Sequence, residues 1–209
     1  MFKRKWAVGA VGALVAAAIC GLLLAGAARG QTAQPEKKPP SPQEVAKLFA
    51  ELVKKPTRES YLALYKIVTS SEKYEPYGTA LEDAEDLLEK GELKQAKAKL
   101  DAAGLNLLLC PRAHQCAARI AKALGDAAAA RKESAAAAAC LKGILATGDG
   151  SPEKPYLVTR VSDEYDVLVH LKKRSTQQGL MNRGGKSFDV LSCTDGSQLW
   201  FDVTAMFGS

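Results

Sequence analysis

Residues 84–100 read AEDLLEKGELKQAKAKL, and residues 118–130 read ARIAKALGDAAAA. Three pairs of small residues recur in these stretches at an interval of 34 positions: Ala84 and Ala118, Gly91 and Gly125, and Ala96 and Ala130. This interval is typical of the tetratricopeptide repeat, in which small residues let two antiparallel helices pack closely. The pattern predicts two helical hairpins, each turning at its glycine. Arrays of such hairpins present extended binding surfaces, so the pattern favours binding over catalysis.

Helix-start signals extend this pattern on the N-terminal side. Ser41 is followed three residues later by Glu44, and Thr79 is followed by Glu82. Each pair matches a capping box, in which the two side chains and two backbone N–H groups bond reciprocally. Together with helical spacing of apolar residues, these signals predict a helical repeat region over residues 44–147.

The sequence pattern changes after Gly148, where β-branched and apolar residues replace the alanine-rich helices. Four segments are predicted as strands: residues 155–161, 165–171, 186–193 and 197–203. Thr194-Asp195-Gly196 is a strong signal for a hairpin turn between the last two. Residues 177–185 are predicted to form a flexible loop. The expected fold is therefore α+β: tetratricopeptide-like antiparallel helical hairpins, followed over residues 148–209 by a small antiparallel β-meander packed on the helices.

The first 30 residues have the composition of a targeting segment. Lys3, Arg4 and Lys5 precede an uncharged run over residues 7–28, and small residues at 28 and 30 permit cleavage before Gln31. A signal peptide over residues 1–30 is predicted, with an uncleaved membrane anchor as the alternative because about 20 apolar residues span a bilayer. Either reading exports the rest of the chain to the periplasm or cell envelope.

Residues 31–43 contain four prolines and no large apolar residue. Such a segment buries too little surface to offset the entropy of ordering, so a disordered tether is predicted.

The net charge argues against nucleic acid as a partner. The whole chain carries +6, but four of its 29 basic residues and none of its 23 acidic residues lie in residues 1–30. Residues 31–209 therefore carry only +2, whereas a phosphate-binding surface needs clustered Lys and Arg.

The tyrosines are concentrated in one part of the helical region. Four of the six fall within 17 residues, at Tyr61, Tyr65, Tyr74 and Tyr77. Two interpretations stay open: the rings close the first helical pair by packing, or they line a concave surface that binds a peptide or glycan.

Four cysteines follow the N-terminal segment: Cys110, Cys116, Cys140 and Cys193. In an exported protein an even number suggests disulfides, and antiparallel helices would place Cys140 beside Cys110 and Cys116. Two alternatives stay open: free buried thiols, which are favoured, and a bridge from Cys140 to Cys110 or Cys116. The spacing of Cys110, His114 and Cys116 matches no usual zinc pattern, so no metal or cofactor is expected.

Catalytic residues are hard to find in this sequence. Only His114 and His170 could serve as histidine bases, on a helix and a strand respectively, and no Gly-x-Ser-x-Gly elbow is present. Asp163, Glu164 and Asp166 are predicted to be solvated at a turn between two strands. No catalytic residue is therefore assigned.

Five short motifs occur in a characteristic order: Tyr61-x-x-Leu64-Tyr65, Tyr74-x-Pro76-Tyr77, Gly148-Asp149-Gly150, Asp163-Glu164-Tyr165 and Leu199-Trp200-Phe201-Asp202. By these motifs the chain, over about residues 45–205, resembles an uncharacterised exported bacterial family, a domain of unknown function best populated in Bacteroides relatives. The resemblance implies export and this architecture. It implies no catalytic residue.

The sequence thus predicts an exported, non-enzymatic module that binds a protein or peptide at the cell envelope through its concave helical face. Two alternatives remain: a hydrolase-like envelope enzyme with carboxylates at the junction of the two parts, and a purely structural envelope protein. Contact with a membrane is expected only through the N-terminal segment, if it is retained.

Overall fold

The computed structural model describes residues 39–208. The predicted signal peptide or anchor, and all but the last five residues of the predicted tether, lie outside the described residues. The fold is α+β, with six helices preceding a four-stranded sheet into which a seventh helix is inserted. The elements are α1 Pro42–Lys54, α2 Arg58–Thr69, α3 Ala80–Glu89, α4 Leu93–Ala103, α5 Pro111–Ala123, α6 Ala127–Leu145, β1 Tyr156–Leu157, α7 Val161–His170, β2 Ser175–Arg183, β3 Lys186–Cys193 and β4 Gln198–Asp202.

The predicted hairpin turns are confirmed. Gly91 joins α3 to α4 with a φ of +76°, and Gly125 joins α5 to α6 with a φ of +81°. Glycine adopts this left-handed conformation at no steric cost, which is why it closes both hairpins.

The two predicted capping boxes have different outcomes. At α1, the Ser41 N–H donates to Glu44 Oε2 at 2.7 Å, and the Glu44 N–H donates to Ser41 Oγ at 3.3 Å. At α3, Thr79 occupies the N-cap position but its side chain makes no capping hydrogen bond. The capping box with Glu82 was therefore a wrong prediction, and the first turn of α3 keeps free N–H groups.

The sheet has the order β1-β4-β3-β2 and is mostly antiparallel. The predicted hairpin between β3 and β4 is confirmed, with Val190 opposite Trp200 and Gly196 in the turn at a φ of +81°. Of the first predicted strand, residues 155–161, only the two residues of β1 form a strand, and they pair in parallel with β4.

Residues 165–171 were predicted as a strand, but residues 165–170 belong to helix α7. The alternation of Tyr165, Val167 and Val169 suggested a strand with one buried face. In the helix Val167 is fully buried, whereas Val169 is 75% exposed. The buried positions of α7 follow helical spacing because they include Glu164, Val167 and Leu168. His170 accordingly ends a helix and does not lie in a strand.

Residues 177–185 were predicted as a flexible loop, but most of them form β2. This edge strand pairs with β3 from Ser175 to Arg183, and Gly184 and Gly185 make the two-residue turn between them. Nearly all β2 side chains are exposed. Because neither face of the strand is apolar, the alternation that usually identifies a strand is absent.

Two hydrophobic clusters form the interior. The larger joins α1, α2, α6 and α7 to the sheet, and Leu64, Ile144 and Phe201 are fully buried in it. The smaller lies among α3, α4 and α5, around Ala96 and Ile120. The larger cluster therefore gives α1, α2, α6, α7 and the sheet a common core.

The lengths and polarity of these helices also bear on membrane association. Among residues 39–208, no helix is both long enough and apolar enough to cross a bilayer.

Gly148 gives a direct test of how α6 is joined to β1. The Asp149 and Gly150 N–H groups both donate to the Lys154 carbonyl, which draws the loop over Gly148. A Cβ at Gly148 would overlap the carbonyl oxygens of Lys154 and Pro155. We predict that Gly148→Ala lowers the free energy of unfolding by about 1–3 kcal/mol, measured by urea denaturation.

Gly179→Ala is the matched control, because a Cβ at Gly179 would meet no atom within 4 Å. Its free energy of unfolding should stay within about 0.5 kcal/mol of the wild type. Equal effects of the two substitutions would contradict the packing described for the loop.

Candidate functional site

Three acidic residues of α7 are the most unusual groups in the structure. Asp163 and Glu164 are fully buried and Asp166 is 9% exposed, so the prediction that they are solvated was wrong. The error follows from the missed helix, whose buried face carries these carboxylates towards α5 and β3. Buried carboxyl groups require partners or a proton, because an ionised carboxylate is costly to remove from water.

Asp163 stabilises the entry into α7. Its Oδ2 accepts hydrogen bonds from the Thr159 N–H, the Thr159 hydroxyl and the Arg160 N–H at 2.9–3.2 Å. Burial raises the pKa of Asp163 to about 6, while the bonds from Thr159 and the charge of Arg160 oppose that rise. The carboxylate is therefore ionised at neutral pH and fixes the turn between β1 and α7.

Glu164 forms a pair with Asp189 of β3. Burial, then the negative charge of Asp189 and a hydrogen bond to it, raise the pKa of Glu164 to about 9. Glu164 is therefore protonated at neutral pH, and its hydroxyl donates to the Asp189 carboxylate. Gln178 Nε2 donates to Asp189 Oδ2 at 2.7 Å, and the Tyr165 hydroxyl donates to Gln178 Oε1 at 3.0 Å. These four side chains connect α7 to β2 and β3.

Two adjacent carboxyl groups are typical of an acid–base site, but a substrate cannot reach this pair. Glu164 is 0% exposed, so no substrate atom can reach it while α7 and the sheet keep this arrangement. Asp149, which could have joined it in a pocket, is exposed and accepts a hydrogen bond from Ser151 within its own loop. Together these positions favour a structural role for the pair, which holds α7 on the sheet.

The four candidate tyrosines do not form one surface. Tyr61 is fully buried, and its hydroxyl donates to the Leu157 carbonyl at 3.2 Å. The Tyr74 hydroxyl donates to the Thr159 carbonyl at 2.6 Å. Tyr65 and Tyr74 border a cleft of about 770 Å³ beside Lys186 and Asp202. Tyr77 is 61% exposed on the other side of the loop, near Asp189 and Glu164.

Burial also changes the titration of these hydroxyls. It raises the pKa of Tyr65 to about 12, and it also raises the pKa of Tyr61 and Tyr74 well above the usual value. All three act as neutral hydrogen-bonding and packing groups. The two hydroxyls bonded to Leu157 and Thr159 connect the helices to the segment between β1 and α7.

A groove between α1 and α6 has a mainly apolar lining. We call it the α1–α6 groove. It has a volume of about 530 Å³ and is lined by Pro42, Val45, Ala46, Phe49, Ala50, Val53, Lys54, Leu108, Lys132, Glu133 and Ala136. Ala46 and Ala50 are exposed on its wall, so a bound chain could approach the backbone of α1 closely.

His114 fixes one side of this groove. Its ring stacks on Phe49 with centroids 5.3 Å apart, Nδ1 lies 2.7 Å from Glu133 Oε2, and Nε2 lies 2.9 Å from the Leu108 carbonyl. The hydrogen bond from His114 lowers the pKa of Glu133, which is therefore ionised. His114 thus positions three residues of the groove and lies on a helix, as predicted.

The four cysteines among the described residues are free and buried. Cys140 Sγ donates to the Leu108 carbonyl at 3.7 Å, and Cys110 Sγ lies 3.7 Å from Ser162 Oγ. This arrangement corresponds to the free-thiol alternative, and the bridge from Cys140 to Cys110 or Cys116 stays a prediction.

Several residues of these sites were not identified from the sequence. Gln178 and Asp189 lie on strands whose pairing brings them to α7, and Phe49 and Leu108 meet only because α1 packs beside α6. Each is unremarkable in its local sequence. The pairing of β2 with β3, indicated by Gly184-Gly185, is the signal that could have placed Gln178 beside Asp189.

The Glu164–Asp189 pair predicts a specific pH dependence of stability. The folded chain keeps the Glu164 proton up to a pKa of about 9, whereas the unfolded chain releases it near 4.5. Stability should therefore fall as pH rises from about 4.5 to about 9, by at most about 1.4 kcal/mol per pH unit from this group. Glu164→Gln cannot ionise and can still donate to Asp189, so it should remove that contribution.

The measurement is urea denaturation of both proteins at pH 5, 7 and 9. The stability of Glu164→Gln relative to the wild type should increase with pH, while all other titrating groups cancel in the comparison. A difference that stays constant over this range would show that Glu164 is ionised in the folded chain.

Comparison with known proteins places the chain in a family. No curated protein and no solved structure matches it. A family model described as a domain of unknown function (DUF4919) matches residues 49–208, which is most of the chain and nearly all of the described structure. The match includes both the buried carboxyl pair and all five motifs noted in the sequence. The chain belongs to the DUF4919 family.

Proposed function

We propose that this protein is an exported, non-enzymatic module that binds a peptide segment of a partner protein at the cell envelope. The α1–α6 groove is the binding site. The observation that carries the proposal is an open apolar groove along two helices, combined with carboxyl groups that are closed to substrate. The groove is open to a ligand, whereas the buried carboxyl groups are out of reach of a substrate.

The dimensions of the groove support a peptide as ligand. Its volume of about 530 Å³ lies within the range of about 300–1,000 Å³ typical of ligand sites. Val45, Phe49 and Val53 recur at intervals of four along α1, which gives an apolar strip about two turns long. A short amphipathic helix laid against such a strip places its own apolar residues at i, i+3, i+4 and i+7.

The charges at the rim favour an acidic peptide. Lys54 and Lys132 border the groove, and neither forms an ion pair with a described residue. Glu133 also borders it, but His114 Nδ1 lies 2.7 Å from its carboxylate. Two lysines and one carboxylate therefore give the rim a small net positive charge, which would attract acidic side chains beside the apolar strip.

The helical scaffold is interpreted as tetratricopeptide-like. The 34-residue interval between Gly91 and Gly125 and the two hairpins that turn at these glycines support this assignment. Only two units match this interval, and α1 and α2 both pack on α6, the last helix of the second unit. The α1–α6 groove therefore lies where the first helical pair meets the array.

Export is proposed from the first 30 residues. A basic start, an apolar run and small residues at 28 and 30 support a signal peptide that is cleaved before Gln31. The site of action would then be the periplasm or the cell envelope.

Ala50→Glu tests the groove. Ala50 is exposed, so the substitution leaves the core intact while it places a negative charge on the apolar wall. Random peptides displayed on phage are selected against the full chain, and the enriched peptides are synthesised. We predict that they combine apolar residues at helical spacing with acidic residues. Fluorescence anisotropy should show at least about tenfold weaker binding to Ala50→Glu.

Ala98→Glu is the matched control, because Ala98 is an exposed alanine of α4 outside the groove. It should bind the peptides as the wild type does, whereas Lys132→Glu should bind acidic peptides more weakly. The binding proposal fails if no peptide is enriched, or if Ala50→Glu binds as tightly as Ala98→Glu. Those results would favour a purely structural protein.

Export is tested by N-terminal sequencing of the protein recovered from the periplasmic fraction of a bacterial host. The expected first residue is Gln31, because small side chains at positions 28 and 30 fit signal peptidase. Ala28→Lys should block cleavage, and Ala33→Lys, beyond the cleavage site, should not. An intact Met1 in the membrane fraction would instead identify an anchor.

A further inference from the structure

A second cavity lies in the helical region, and we call it the Arg160 cavity. It has a volume of about 680 Å³ and lies where the loop after α2, the start of α3 and the end of α4 meet. Its lining includes the polar residues Lys73, Thr79, Lys99, Asn106 and Arg160. Its position separates it from the α1–α6 groove, with which it shares no lining residue.

Arg160 is the first reason to assign a ligand to this cavity. It is only 5% exposed, yet it forms no ion pair with a carboxylate among residues 39–208. One nitrogen, Nη2, donates to the carbonyls of Pro76 and Gly78 at 3.3 and 3.0 Å. No bond of Nε or Nη1 to a described residue is found, so part of the guanidinium fork is unused. A guanidinium fork matches the two oxygens of a carboxylate or phosphate.

The start of α3 is the second reason. Thr79 makes no capping bond, and the N–H groups of Ala80, Leu81 and Glu82 donate to no acceptor in the described part of the chain. Thr79 and Ala80 line the same cavity as Arg160. Free N–H groups at a helix N-terminus attract anions through direct hydrogen bonds and the helix dipole.

The charges around the cavity nearly balance, so the free N–H groups favour an anion more than net charge does. Lys73, Lys99 and Arg160 line it together with the acidic residues Glu75 and Asp83. Lys99 Nζ lies 3.0 Å from Asp83 Oδ2, so these two charges largely compensate each other. Arg160 and Lys73 therefore lie near two carboxylates: that of Glu75, which borders Gly78, and that of the buried Asp163, whose pKa the charge of Arg160 lowers.

We propose that the Arg160 cavity binds a small organic anion through a carboxylate or phosphate group. The oxyanion accepts from the free guanidinium N–H groups of Arg160 and from the amides of Ala80 to Glu82, and Lys73 supplies a further positive charge. The volume of the cavity exceeds that of a bare oxyanion, so the rest of the molecule fills the space between α4 and the loop after α2. This site is independent of the peptide site proposed above.

The test is an NMR titration of the full chain with inorganic phosphate and, separately, with acetate, with sodium chloride at equal ionic strength as the reference. Bound oxyanion should shift the amide resonances of Ala80, Leu81 and Glu82 with a dissociation constant near or below about 1 mM. Binding of phosphate alone identifies a phosphate-bearing ligand, and binding of acetate alone identifies a carboxylate.

Two substitutions and one control decide the assignment. Lys73→Glu changes an exposed residue, and Arg160→Lys keeps the charge but loses the planar fork; each should weaken binding at least about tenfold. Lys94→Glu, an exposed residue of α4 outside the cavity, should bind as the wild type does. The proposal is overturned if neither probe shifts these amides beyond the chloride reference at about 10 mM, or if Lys73→Glu binds as Lys94→Glu does.

Discussion

The buried carboxylate of Asp163 fixes the turn between β1 and α7, on which the rest of the structure depends. It accepts three hydrogen bonds from Thr159 and Arg160, and these fix the chain between β1 and α7. The Thr159 carbonyl is then placed to receive the Tyr74 hydroxyl, and the Arg160 guanidinium is placed beneath the start of α3. One buried charge thus sets the position of α7, the closure of the loop after α2 and the polar lining of a cavity.

The sequence predicted the parts of the fold whose signals are local. Gly91, Gly125 and Gly196 each need a left-handed backbone, and the periodic residues around them show what they connect. Helix α7 and strand β2 were predicted wrongly because tertiary contacts override their local patterns. Val169 fits the alternating pattern of a strand but lies exposed on a helix. Strand β2 is a polar edge strand, and its extended conformation depends on pairing with β3.

The candidate sites were harder to predict because each joins residues that are distant in the chain. Glu164 looks like a solvated turn residue until α7 is recognised as a helix, and its partner Asp189 is brought to it by the sheet. The α1–α6 groove likewise combines small exposed residues of α1 with Leu108, near the middle of the chain. Composition supported only the expectation that the chain has no basic surface for nucleic acid. The geometry of the sites needed the packing of the helices.

Buried thiols are compatible with the proposed export. Oxidation and disulfide exchange proceed through the thiolate, so a cysteine reacts slowly when its thiol stays protonated and out of solvent. Cys110 and Cys140 are fully buried, and burial, followed by the negative charge of Asp163, raises the pKa of both thiols well above the usual range. Asp163 therefore has a second effect, besides fixing the turn between β1 and α7. Together with burial, its charge keeps two neighbouring thiols neutral, which would protect them in an oxidising compartment without requiring a bridge.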